Sequence, residues 1–161
     1  MNERKAIFLD RDGVINCERG DFTWRLSDFV LVEGLLPFLQ ALIHKGYELV
    51  VITNQSGIAK GLYGHEEVRL LHAWLRSYLQ QQKIYIKEIY YCPHHPEVGQ
   101  CLCRKPGSLM IEKALSRFNY NPALCYMIGD RERDVQAAEG AGVRGILVES
   151  NSNLNYLLSS L

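Results

Sequence analysis

The chain carries no excess charge of either sign: 18 Lys and Arg stand against 18 Asp and Glu in 161 residues. A balanced charge removes the long-range pull that draws proteins to nucleic acid or to anionic membranes, and leaves only a local basic cluster open. Long hydrophobic runs are also missing. The apolar stretch before Asp10 is too short for the core of a signal peptide, and no later run could span a bilayer. The expectation is a cytoplasmic protein with no membrane partner. A disulfide framework is disfavoured, because the five cysteines are odd in number and no secretory signal accompanies them. There is no internal repeat, no low-complexity segment and no linker. The 47% apolar and 22% charged composition is that of an ordinary globular protein, so residues 1–161 read as one domain with a real core.

Five short, nearly unbroken apolar runs are present at Ala6–Leu9, Glu48–Thr53, Glu88–Tyr91, Tyr126–Ile128 and Gly145–Val148. Such runs suit strands buried on both faces of a parallel sheet. Helical spacing fills the gaps. Leu35, Leu39, Leu42 and Ile43 form one stripe, closed by Gly46. Val68, Leu71, Leu75 and Leu79 form a second. Leu109, Ala114, Leu115 and Phe118 mark a third, and Val135 with Ala138 a short fourth. The alternation predicts an α/β domain with a mainly parallel five-stranded sheet. The tail after Ser150 reads as a small cap on the core.

In such sheets, functional residues gather at the carboxyl ends of strands. The predicted strands end in Asp10-Arg11-Asp12-Gly13, in Thr53-Asn54-Gln55-Ser56-Gly57, in Cys92-Pro93-His94 and in Gly129-Asp130. A carboxylate at position 10 could attack phosphorus, while Asp12 protonates the leaving oxygen and then activates water. Alone, the Asp-x-Asp-Gly run is equally well a turn. Asp130 could join Asp10 in holding Mg²⁺, which takes oxygen ligands, and Asp134 could assist or simply cap a helix. Thr53, Asn54 and the backbone after Ser56 offer donors to a phosphoryl group, and Arg104-Lys105 adds two cations. Strand-end capping and a solvated basic pair are the plainer readings of those two runs. Phosphoryl transfer depends on positioning and charge stabilisation, which is what the whole set together would supply.

Cys92-x-His94 and Cys101-x-Cys103, six residues apart, offer three thiolates and an imidazole. This is a closed tetrahedral zinc set with no open position, hence structural. Such a site stabilises a small fold by on the order of 10–16 kcal/mol. His95 is an alternative ligand to His94. Cys17 and Cys125 stand apart from the metal loop. Cys125, just before an apolar strand, reads as a core residue. His44, His65 and His72 read as surface or packing residues.

Taken in order, Asp10-x-Asp12, Thr53, Lys105 and Gly129-Asp130 with Asp134 resemble the four motifs of the haloacid dehalogenase superfamily over nearly the whole chain. The resemblance implies a Rossmann-like three-layer fold and an aspartyl-phosphate at Asp10, with Asp12 as general acid and base. It further implies Mg²⁺ held by Asp10, the Asp12 carbonyl and Asp130, with Lys105 bridging nucleophile and phosphoryl group. The gaps between motifs hold no cap domain, which sets the chain apart from capped members such as phosphomutases. DRDGVIN, TNQSGIAKG, YYCPHHP, CxCRKP and GDRERD resemble the D-glycero-D-manno-heptose-1,7-bisphosphate 7-phosphatases. That likeness selects His94 over His95 and implies that Arg104 helps bind the sugar phosphate. It also puts residues 18–24 in the pocket wall, and implies a role in making activated heptose for lipopolysaccharide or surface glycans. The sister histidinol phosphatases share the metal loop, and the His94 to Cys101 spacing is close to theirs. Intact Asp10, Asp12, Lys105 and Asp130 argue against a dead phosphosugar-binding protein. A monomer is expected.

Overall fold

In the computed structural model, residues 3–161 are described. Met1 and Asn2, which open the N-terminal stretch read above, lie outside them. Five strands, β1 (Ala6–Leu9), β2 (Glu48–Asn54), β3 (Ile86–Cys92), β4 (Tyr126–Gly129) and β5 (Arg144–Leu147), form a single sheet in the order β3-β2-β1-β4-β5. Every pairing is parallel, so the sheet is wholly rather than mainly parallel. The order reverses between β1 and β4. That switch point opens a crevice at the strand ends carrying Asp10, Asn54 and Asp130.

Alternation along the strands builds two cores. Ile7, Leu9, Leu49 and Val51 face one side, with α1 (Leu35–His44), α2 (His65–Gln81) and the C-terminal 3-10 turn Leu154–Ser159. Ala6, Phe8, Val50 and Ile52 face the other, with α3 (Leu109–Phe118) and α4 (Glu132–Gly140). The result is helix, sheet, helix, the three-layer arrangement expected. The tail cap is real: Leu154 and Leu157 are buried in the first core. Gly46, at φ +86°, turns the chain out of α1 as its position suggested. The third stripe is rotated from the predicted one. Met110, Ile111 and Ala114 are the buried face of α3, and Leu115 and Phe118 pack at its margin. In α4, Val135 is half-buried and lies over Gly145, while Asp134, Ala137 and Ala138 face inward. No helix among the described residues is long and apolar enough to cross a membrane. Between β1 and α1 the chain forms loop, isolated β-bridges from Asn16 to Asp12 and Leu31, and a 3-10 turn at Leu26–Asp28.

Candidate active site

The end of β1 delivers Asp10 to the crevice floor, where it is 5% exposed. Its Oδ1 accepts from the Arg11 backbone N–H at 2.8 Å and from Lys105 Nζ at 2.9 Å. Its Oδ2 has no hydrogen-bond partner among the described residues and borders the pocket. Lys105, 1% exposed, also donates to the Ile52 carbonyl at 2.8 Å and pairs with Asp134 Oδ1 at 2.6 Å. Asp134 is not the N-cap of α4. It sits one turn in, where Oδ2 accepts from the Arg131 N–H at 3.0 Å. One side chain therefore caps the helix and holds the lysine.

Asp10, Asp130 and Asp134 bring carboxylate oxygens within 4.8 Å of one another. Lys105 is the only ammonium in contact with this set among the described residues, so the carboxylates outnumber the cations beside them. The Asp130 side chain is 2% exposed, and its buried Oδ2 has no hydrogen-bond partner; Arg131 Nε is 3.8 Å away. An unpaired buried carboxylate oxygen at a site rich in carboxylates is what a hard divalent cation satisfies. Gly13 belongs to the same arrangement. Its φ is +92°, and a Cβ there would run into Asp130 Oδ2. Burial raises the Asp10 carboxyl above its usual range, to about 7, against the opposing pull of Lys105; Asp134 and Asp12 push it further up. A bound cation would favour the charged form instead.

Asp12 is gripped by three donors. Arg11 Nη2 and Asn16 Nδ2 reach Oδ1 at 2.9 and 3.0 Å, and Gln55 Nε2 reaches Oδ2 at 3.1 Å. Burial alone would raise this group, but Arg11 and the hydrogen bonds hold it below the usual carboxylate range. Gln55 also donates to Thr53 Oγ1 at 2.9 Å and accepts from the Tyr63 hydroxyl at 2.9 Å. Thr53 is fully buried beneath the crevice, its hydroxyl accepting from Gln55 and donating at 3.5 Å to the Asn54 carbonyl. Asn54 lines the pocket, but its amide is committed to Lys105: Nδ2 donates to the Lys105 carbonyl at 3.2 Å and Oδ1 accepts from the Lys105 N–H at 3.1 Å. Its first task is to hold the lysine loop.

The pocket has a volume of about 330 Å³. Glu18, Asp21 and Phe22 form one wall, and Arg104, Arg131 and Arg133 the other. Of the expected wall 18–24, Glu18, Gly20, Asp21, Phe22 and Thr23 line the pocket, while Arg19 pairs with Asp28 at 2.9 Å and Trp24 stacks on Tyr63 at 5.9 Å. Arg131 and Arg133 were not anticipated. Their signal is their place, immediately after Asp130 at a strand end. Burial, and after it the nearby Arg133, weakens Arg104's hold on its proton.

Cys92, His94, Cys101 and Cys103 converge next to this pocket. Their contacts run from 3.1 to 3.6 Å between donor atoms. The edges of a tetrahedron around zinc, from its bond lengths, are about 3.5–3.8 Å. The donors are therefore close to the required cage and of the right chemistry. His95 faces Glu97 instead, with its Nδ1 accepting from the Glu97 N–H at 3.2 Å. Arg104 Nη1 donates to the His94 carbonyl at 3.2 Å, so the loop is joined to the basic wall. His44 and His65 are exposed, Cys17 lies off the metal loop, and Cys125 is buried with its sulfur accepting from the Ala6 N–H at 3.3 Å. His72 is buried against Arg11.

A family model described as HAD-hydrolase-like matches residues 102–158. A D-glycero-beta-D-manno-heptose-1,7-bisphosphate 7-phosphatase of Haemophilus ducreyi is 39% identical over 98% of this chain and 94% of its own length. The chain belongs to the heptose bisphosphate phosphatase family. A relative in Photorhabdus laumondii, named for the alpha anomer, is 36% identical over 88% of this chain and 80% of its own. The crystal structure of D,D-heptose 1,7-bisphosphate phosphatase from B. bronchiseptica, complexed with magnesium and phosphate, matches with a TM-score of 0.84. It is 32% identical, and the match covers 98% of this chain and 87% of that one. The histidinol phosphatase alternative gains no support from these relatives.

Proposed function

We propose that this heptose bisphosphate phosphatase removes the 7-phosphate of a D-glycero-D-manno-heptose 1,7-bisphosphate, in the cytoplasm, on the way to activated heptose for surface glycans. The observation that carries the chemistry is Asp10: one oxygen is pinned by Lys105 and the Arg11 N–H, and the other is free at the pocket floor. Asp10 Oδ2 attacks phosphorus, and the bond to the sugar oxygen breaks as that oxygen takes a proton from Asp12, which rests as the carboxylate and picks the proton up from the bound phosphate monoanion. Water then attacks the aspartyl-phosphate at phosphorus. Asp12 takes the water's proton, and phosphate leaves with Asp10 restored. Lys105 and the Thr53 hydroxyl offset charge on the transferring phosphoryl oxygens, and Asn54 keeps Lys105 in register. Magnesium held by Asp10, Asp130 and the Asp12 carbonyl would supply further charge neutralisation there. Asp134 supports the site by holding Lys105.

Zinc held by Cys92, His94, Cys101 and Cys103 would fix the loop from which Arg104 and Lys105 project. The basic wall of Arg104, Arg131 and Arg133 suits a substrate with a second anionic group beyond the one being cleaved. That is a bisphosphate rather than a cationic amine. The enzyme works as a monomer, since its own residues supply each of these roles. Phosphate release with Mg²⁺ tests the assignment: kcat/KM for heptose 1,7-bisphosphate should exceed that for histidinol phosphate by orders of magnitude. A preference for histidinol phosphate would overturn it.

A further inference from the structure

Arg11 lies between the two aspartates of the site, yet none of the roles above uses its side chain. It is 0% exposed, the largest fully buried side chain of the described residues. Burying a guanidinium is costly, and a buried ion pair adds little net stability over an apolar replacement. A reason other than stability is therefore needed.

Its contacts supply one. Nη1 meets His72 Nε2 at 3.1 Å, across 61 positions of sequence. An arginine only donates, so this histidine nitrogen accepts and the imidazole is neutral, with its proton on Nδ1. Burial, then the Arg11 charge, press the same way and bring His72 down to about 3. Nη2 reaches both Asp12 Oδ1 at 2.9 Å and the Thr23 carbonyl at 2.6 Å. The Phe29 ring closes the chamber, 5.7 Å from the guanidinium carbon. One rigid fork thus joins helix α2, the pocket wall and Asp12. Arg11 and Asn16 together occupy Oδ1 of Asp12. Oδ2 carries a single bond, from Gln55, and belongs to a residue that lines the pocket.

We infer that Arg11, seated on His72 and the Thr23 carbonyl, is a positioning residue that fixes Asp12 so that its Oδ2 is the oxygen presented to the leaving group. The planar fork matters here, because a lysine could supply the charge but not three contacts in fixed directions. The inference rests on Asp12 as the proton donor.

The test compares two leaving groups. A sugar alkoxide needs a proton as it departs, whereas 4-nitrophenolate leaves without one. Acid catalysis contributes about 10²–10⁴-fold where it is needed. Because the water step is common to both substrates, the first step is read alone, as leaving-group release in a single turnover: Arg11→Met should lower that rate by about 100-fold for the heptose bisphosphate and by less than about 10-fold for 4-nitrophenyl phosphate. His72→Leu should show the same selectivity more weakly, and His72→Gln, which keeps an acceptor, should recover most of the loss. Asp12→Asn provides the control. If Asp12→Asn shows the selectivity and the Arg11 and His72 variants do not, the inference is wrong and the proton-donor role stands. If Asp12→Asn lacks it as well, the role of Asp12 falls and the inference with it. Equal losses on both substrates in Arg11→Met and His72→Leu, or a change confined to KM, would mark Arg11 as a structural residue of the wall and overturn the positioning role.

Discussion

Replacing Lys105 with methionine keeps the stem of the side chain and removes the ammonium that contacts Asp10, Asp134 and the Ile52 carbonyl at 2.9, 2.6 and 2.8 Å. What stays behind is a pair of buried carboxylates facing each other, with Asp130 close by. Removing one partner of a buried pair costs about 3–5 kcal/mol, because the other is left uncompensated. In a chain of this length that corresponds to a fall in Tm of roughly 6–20 °C. Urea unfolding in a magnesium-free buffer measures it directly. Magnesium should then offset part of the loss, by about 2.7 kcal/mol when its concentration is 100 times Kd. The more negative variant should gain more from the ion than the parent does. Turnover should fall by about 10²–10³-fold, as for loss of one charge-stabilising donor. A magnesium-free variant within about 1 kcal/mol of the parent would refute the argument that Lys105 holds these carboxylates together.

Other perturbations separate the remaining parts. Gly13→Ala should cut activity by more than about 100-fold, since it costs about 1–2 kcal/mol of backbone strain and also displaces Asp130; kinetics with titrated magnesium would expose a raised requirement for the ion. Cys101→Ser should lose bound zinc, seen by elemental analysis, and expose residues 93–103 to protease, with activity falling as Arg104 loses its tether. Asn54→Leu should destabilise by about 1–3 kcal/mol through the two bonds to the Lys105 backbone, read by thermal unfolding. The pH dependence has a definite sign. Asp10 is raised when folded, so without metal the native state holds the extra proton, and stability declines as pH rises from about 4 toward 7. Magnesium competes with that proton and should stabilise the protein more at pH 8 than at pH 5.

The strands and the order of the site motifs were legible in the sequence because each rests on local pattern. Apolar runs of three to six residues mark the strands, and a polar residue closing such a run marks the crevice edge. The convergence of Asp10 with Asp130 was readable on those grounds, and that of the four metal-loop residues from their Cys/His spacing. The employment of each residue was harder to read. Asp134 and Lys105 meet across 29 positions, and only folding reveals that a helix-capping carboxylate doubles as the lysine's partner. Asn54 reads as a phosphate donor until its amide is found on the Lys105 backbone. Arg11 and His72 carry no periodic or motif signal that pairs them, since an apolar helix face admits a neutral histidine as readily as a leucine. The rotated face of α3 has a similar cause. At its C-terminal end Phe118 packs on Tyr120, with ring centroids 5.6 Å apart, so packing rather than spacing decides which side is buried.

The central claim is that Asp10 becomes covalently phosphorylated. Rapid mixing with substrate, followed by borohydride reduction and peptide mass spectrometry, tests it at one residue. An aspartyl-phosphate is reduced to homoserine, so the account predicts homoserine at position 10, only when substrate is present and not in Asp10→Asn. Reduction at another carboxylate, or turnover in Asp10→Asn near the parent rate, would contradict it.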